Sequence, residues 1–136
     1  MLYPIGIQSF EKIRTGGFVY VDKTELIYSL AASGQYYFLS RPRRFGKSLL
    51  VSTMEAYFSG RKELFEGLAM ASREKDWVSY PVLHLDLTGA AYLSIDELYS
   101  KFNSFLSKYE ERYEICTDER VASVRFENII DVAYRK

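Results

Sequence analysis

Apolar residues along this chain fall into helix-spaced stripes and short unbroken runs, and the two kinds of segment alternate. Leu50, Thr53, Met54 and Tyr57 recur at i, i+3, i+4 and i+7, which predicts a helix opening near Lys47, turned toward a core and closed by Gly60. Ser94 and Glu97 form a capping box ahead of a stripe of Leu98, Phe102, Phe105, Leu106 and Tyr109. A polar break over 110–114 follows, and Phe126, Ile129, Ile130 and Ala133 mark a last helix. Shorter helices are expected over 9–14, closed by Gly16 and Gly17, over 62–65, and as a turn over 73–78. Asp22 reads as the N-cap of a further helix running to about Ala32, with Glu25 as reciprocal partner and Gly34 as the stop.

The unbroken runs lie over 36–40 and 82–87. Continuous apolar character suits interior strands of a parallel sheet, so both are predicted as strands, parallel in one sheet, with Asp86 near the loop end. The expected fold class is therefore α/β, a P-loop NTPase-like parallel sheet with flanking helices. Two parallel strands make a poor sheet alone, because each needs neighbours. Residues 1–136 are accordingly read as the N-terminal, incomplete portion of such a domain, or as a shortened relative of one, with the loop over 40–48.

Composition narrows the classes. The 136 residues are 48% apolar, with twelve Tyr and nine Phe, which provides for a core and argues against disorder. Formal net charge is zero, so the overall field makes no case for a nucleic-acid or membrane partner. Distribution matters more: no acid lies between Glu25 and Glu55, while Arg41, Arg43, Arg44 and Lys47 fall in that window. The single cysteine, Cys116, removes an internal disulfide and a cysteine zinc cluster, and is expected as a buried or half-buried inert thiol. The start Met1-Leu2-Tyr3-Pro4 has no secretory signal character and no apolar run is long enough to span a bilayer, so a cytoplasmic location is expected.

The chemistry concentrates where the first run ends. Arg43, Arg44, Phe45, Gly46, Lys47, Ser48 and Leu49 carry the chain from that run into the helix, the order in which a P-loop is built. Gly46, lacking a Cβ, lets the backbone approach a phosphate closely and adopt unusual dihedrals. Lys47 sets an ammonium against terminal phosphates, the Ser48 hydroxyl completes a magnesium shell, and the helix end directs free N–H groups at the anion. ATP and Mg2+ are thus the expected ligands. The full motif asks for glycine where this chain has Arg41, followed by Pro42, which stiffens the loop entry.

Three strings go further: Tyr20-Val21-Asp22-Lys23-Thr24, then Phe38 through Leu50 with its Arg-Pro-Arg-Arg-Phe-Gly-Lys-Ser core, then Leu64-Phe65-Glu66-Gly67-Leu68. From about Pro4 to at least Asp86 the chain resembles the bacterial AAA-ATPase-like family. Its members often carry a PD-(D/E)XK nuclease-like region toward the C-terminus, and Arg in place of the first motif glycine is their usual form. The resemblance implies nucleotide binding, phosphoanhydride hydrolysis at the family level, and in a longer protein a nuclease-like module or nucleic acid as partner. Family members also carry a second acidic strand of the type Leu-Ile-Asp-Glu-Tyr-Asp. No such string occurs here, so hydrolysis is left without an identified acid.

Several residues admit two readings. Asp86, at the end of an apolar run, is a candidate magnesium ligand or water-orienting acid, or else the partner of a structural hydrogen bond with His84. Arg43 and Arg44 can touch phosphate, pair with acids elsewhere, or hold the loop in water. Asp22 is explained by capping, while the resemblance places Asp22, Lys23 and Thr24 beside the nucleotide. Two other functions compete with ATP binding: a nucleic-acid-binding module using the arginine-rich loop, and a degenerate remnant that binds a protein.

Overall fold

A computed structural model describes residues 2–88 and 92–135. The chain divides into two compact units, Met1–Val82 and Leu83–Lys136.

The first unit is built from α1 (Phe10–Thr15), α2 (Thr24–Ser33), α3 (Lys47–Phe58), a 3-10 turn over Lys62–Phe65 and α4 (Ala69–Arg73). Ser9 caps α1 by accepting the Lys12 N–H at 3.3 Å, and the Phe10 N–H donates to Ser52 Oγ at 3.0 Å, tying α1 to α3. Gly16 and Gly17 close α1 as expected; Gly17 turns at φ 64°, and the Phe18 N–H returns to the Ile13 carbonyl at 3.1 Å. Phe10, Ile27, Leu64, Phe65 and Met70 form the core, with Tyr20, Tyr57 and Trp77 packed against it. The Phe10 and Phe65 rings lie 4.9 Å apart and those of Phe65 and Trp77 5.1 Å apart, so aromatic packing holds the helices together.

Asp22 has a different task from the expected N-cap. Lys23 occupies that position, and the Glu25 carboxylate pairs with Arg73 instead. One Asp22 oxygen accepts the N–H and hydroxyl of Thr24, at 2.8 and 2.7 Å; the other accepts the Ala69 N–H at 2.7 Å. The fully buried Thr24 hydroxyl oxygen in turn accepts the Met70 N–H at 3.0 Å. The string Val-Asp-Lys-Thr thereby satisfies two orphan amides at the start of α4, which lies earlier than the turn expected over 73–78.

The second unit is a helical hairpin of α5 (Ile95–Tyr113) and α6 (Ala122–Arg135). The capping box forms nearly as expected: Ser94 Oγ accepts the Glu97 N–H at 3.2 Å, and the Glu97 carboxylate accepts the Leu93 N–H at 2.7 Å. Leu106, Tyr109 and Ile129 are the buried centre, flanked by Phe102, Phe105 and Phe126. The polar stretch over 110–114 is not a break. Helix α5 runs through it to Glu114, which turns left-handed at φ 58°, because Glu110 meets Arg125 of α6 at 2.7 and 2.6 Å. Arg125 also donates to Asn103 and Ser107, both at 3.0 Å.

The expected sheet is absent. Among the described residues there is no strand, and residues 36–40 and 82–87 are irregular backbone. The α/β parallel-sheet assignment is therefore wrong for this chain, which is helical. A strand satisfies its amides sideways, so an apolar run becomes one only beside another strand. Among the described residues the ladder contact is a single parallel bridge between Leu2 and Phe18. The two runs fall largely in different units, and Tyr36 and Phe38 are 93% and 94% exposed. Cys116 is likewise exposed rather than buried.

A basic loop at a helix N-terminus as candidate functional site

The stretch from Arg41 to Gly46 is a loop, and α3 opens at Lys47 as the pattern predicts. Backbone φ is positive at Arg44 (68°) and again at Gly46 (73°, ψ 18°), with Phe45 between them on the negative side. Alternation of hand of this kind turns successive N–H groups toward one concavity, the arrangement in which backbone amides hold anions. A Cβ at Gly46 would meet nothing within 4 Å, so the glycine answers to conformation, not crowding, and the loop opens onto free space.

Lys47 folds back over the loop. Its ammonium donates to the carbonyls of Arg41 at 2.7 Å and Pro42 at 2.9 Å, which leaves one of its three donors for an outside acceptor. The first helical bond of α3 runs from the Leu50 N–H to the Gly46 carbonyl at 2.9 Å, so the amides of Lys47, Ser48 and Leu49 project from the helix end. Arg43, Arg44, Phe45 and Ser48 are exposed around them. A positive helix end, an ammonium and exposed guanidinium groups make an anion-attracting surface.

Behind the loop is a cavity of about 570 Å3 between the N-terminal segment, α2 and α3. Leu26, Leu30, Leu39 and Leu49 supply apolar wall, and Phe45 and Gly46 belong to the cavity and the loop alike. Lys23 and Arg41 are the charged residues lining it, and no acid does. The sequence pattern points to no role for Leu26 or Leu30, and to Lys23 only through the Val-Asp-Lys-Thr string.

Asp86 belongs to the second unit. It lies on an irregular segment, and hydrogen bonds from the Thr88 hydroxyl and N–H, the latter at 2.8 Å, hold its carboxyl below the ordinary range. The His84 N–H donates to the Tyr109 hydroxyl at 2.9 Å. Among the described residues no group of three His, Cys, Asp or Glu side chains is placed to hold a metal ion. A single hydroxyl such as that of Ser48 still suits Mg2+, which keeps several waters and is commonly carried by phosphate oxygens. Among the described residues no helix is long and apolar enough to cross a membrane.

Comparison with known proteins gives the context of the loop. A family model described as predicted AAA-ATPase matches residues 4–136. A protein of Azotobacter chroococcum mcd 1, described as an uncharacterized protein in the vnfD 5'region, is 41% identical over 133 residues, covering 96% of this chain and 26% of that protein. The chain thus spans about a quarter of the length of the curated relative it matches. No solved structure matches it.

Proposed function

Because the chain belongs to the predicted AAA-ATPase family, we propose that it binds ATP with Mg2+ through the loop over 40–48 and the first turn of α3. The observation that carries this reading is the junction itself: left-handed Gly46 directly ahead of α3, with the Lys47 ammonium drawn across the loop mouth by the Arg41 and Pro42 carbonyls. The Lys47 side chain is pre-positioned, so little of its entropy is lost when it meets a terminal phosphate. The amides of Lys47, Ser48 and Leu49 cradle phosphate oxygens, and Arg43 and Arg44 hold the anion from the rim. Ser48 offers its hydroxyl to Mg2+, which when bound neutralises charge on the phosphate oxygens.

Residues 1–136 are proposed as the N-terminal portion of a longer protein in which a nuclease-like module or nucleic acid responds to the nucleotide. That the chain covers 26% of its relative supports a longer protein. In isolation it is expected to bind weakly and turn over negligibly, because phosphoryl transfer needs a positioned water as well as phosphate contacts. Titration calorimetry with Mg-ATP on the unmodified chain and on Lys47→Ala tests the proposal. Binding that disappears in Lys47→Ala supports it; indistinguishable affinities move the site elsewhere. Brisk turnover would contradict the expected inactivity and make Asp86 the first acid to replace.

A further inference from the structure

We propose that the second unit pairs with a second copy of this chain through one face of its hairpin, giving an antiparallel four-helix bundle. The two sides of the hairpin differ. On one, Arg125 draws Asn103, Ser107 and Glu110 together and closes the seam with polar contacts. On the other, Leu98 and Phe102 stand four residues apart on α5, and Phe126, Ile130 and Tyr134 follow at the same interval on α6. The Phe102 and Phe126 rings meet across the seam at 6.4 Å, so the two rows form one apolar strip. Both rings are only half-buried, and Leu98, Ile130 and Tyr134 are 41%, 44% and 89% exposed. Two helices cover each other along a single line and leave such a strip in water; four enclose it.

Charge identifies the occupant as another copy. Beside the strip, α5 carries Lys101 and Lys108, and α6 carries Glu127 and Asp131, all exposed. Glu97, at the head of the α5 rim, is committed to the Leu93 N–H. One rim of the face is thus basic and the other acidic. A two-fold axis along the hairpin sets α5 of each copy over α6 of the other, antiparallel to it, and lays each basic rim on an acidic one. Such an axis also preserves height. Phe126 is level with Phe102, which puts Glu127 level with Lys101 and hence with Lys101 of the second copy. Lys101 attracts Asp86 of its own chain as well, as the weakest of the influences on that carboxyl.

Sedimentation of the full chain at low ionic strength, from about 1 to 200 µM, reads the association. The face is short, since the 14 residues of α6 span about 21 Å, so a dissociation constant in the micromolar range is expected. Ile130→Gln with Tyr134→Gln strips apolar surface from two exposed positions and should weaken the dimer at least about tenfold. Lys101→Glu and Glu127→Lys should each weaken it about fivefold, and the two together should restore it. Neither a lost attraction to Asp86 nor a damaged helix is repaired by the second change, so restoration reports pairing between copies. Circular dichroism on the same samples should show unchanged helix content. A chain that stays monomeric up to about 200 µM overturns the proposal. So does association indifferent to Ile130→Gln with Tyr134→Gln, and so does a charge-swapped double variant no better than either single one.

Discussion

The carboxylate of Asp22 accepts the backbone N–H of Ala69 at 2.7 Å, across 47 positions of chain. A residue that looks from its neighbours like a helix cap is in fact a tether between the start of α2 and the start of α4. Removing it leaves the Ala69 and Thr24 amides without their acceptor. Asp22→Ala is therefore expected to destabilise the first unit by about 1–2 kcal/mol, and Asp22→Asn by less, because one amide oxygen survives. Chemical denaturation of the three proteins, followed by Trp77 fluorescence, checks the order.

Acid should loosen both units. Burial pushes the Asp22 carboxyl up, but the hydrogen bonds from Ala69 and Thr24 outweigh it and hold it below the ordinary value. The Arg125 guanidinium holds Glu110 below its ordinary value too. A carboxyl depressed in the folded state binds fewer protons there than when unfolded. Its stabilisation is complete above the unfolded value of about 4 and is lost as pH falls through the folded one. Denaturation midpoints measured from about pH 6 down to pH 2 should fall steadily, and less steeply for Asp22→Asn.

Gly46→Ala isolates backbone conformation from crowding, since nothing stands within 4 Å of the added methyl. At φ 73° an alanine costs about 1–2 kcal/mol, which the exposed loop relieves by abandoning the left-handed turn. Global stability should change little while Mg-ATP affinity falls by about tenfold. Thermal melts and calorimetry on the same sample separate the two effects; a large stability loss with unchanged affinity would refute the role given to this turn.

In the second unit, Glu110 and Arg125 have side chains only 12% exposed, and Arg125 satisfies Asn103 and Ser107 as well. Arg125→Leu strands a carboxylate against the apolar hairpin and should cost about 3 kcal/mol. Glu110→Gln with Arg125→Leu should recover part of that loss, because no unpaired charge remains. Helix content by circular dichroism against denaturant reads both.

Much of this molecule was legible along the chain, and for a common reason. Helices satisfy their amides within a segment, so the stripe of Leu50, Thr53, Met54 and Tyr57, the glycines ending α1 and the Ser94 cap carried their own evidence. The start of α3 at Lys47 was legible too, and Gly46, free to adopt unusual dihedrals, turns left-handed at φ 73° just ahead of it. The tether from Asp22 to Ala69, the fold-back of Lys47 onto Arg41, the passage of α5 through its polar stretch to meet Arg125, and the cavity beside Phe45 all join residues distant in the chain or set by loop geometry. Strands depend on neighbours in the same way. An apolar run states only that its residues avoid water, and whether Tyr36 to Leu39 becomes a strand is decided by what tertiary structure brings beside it.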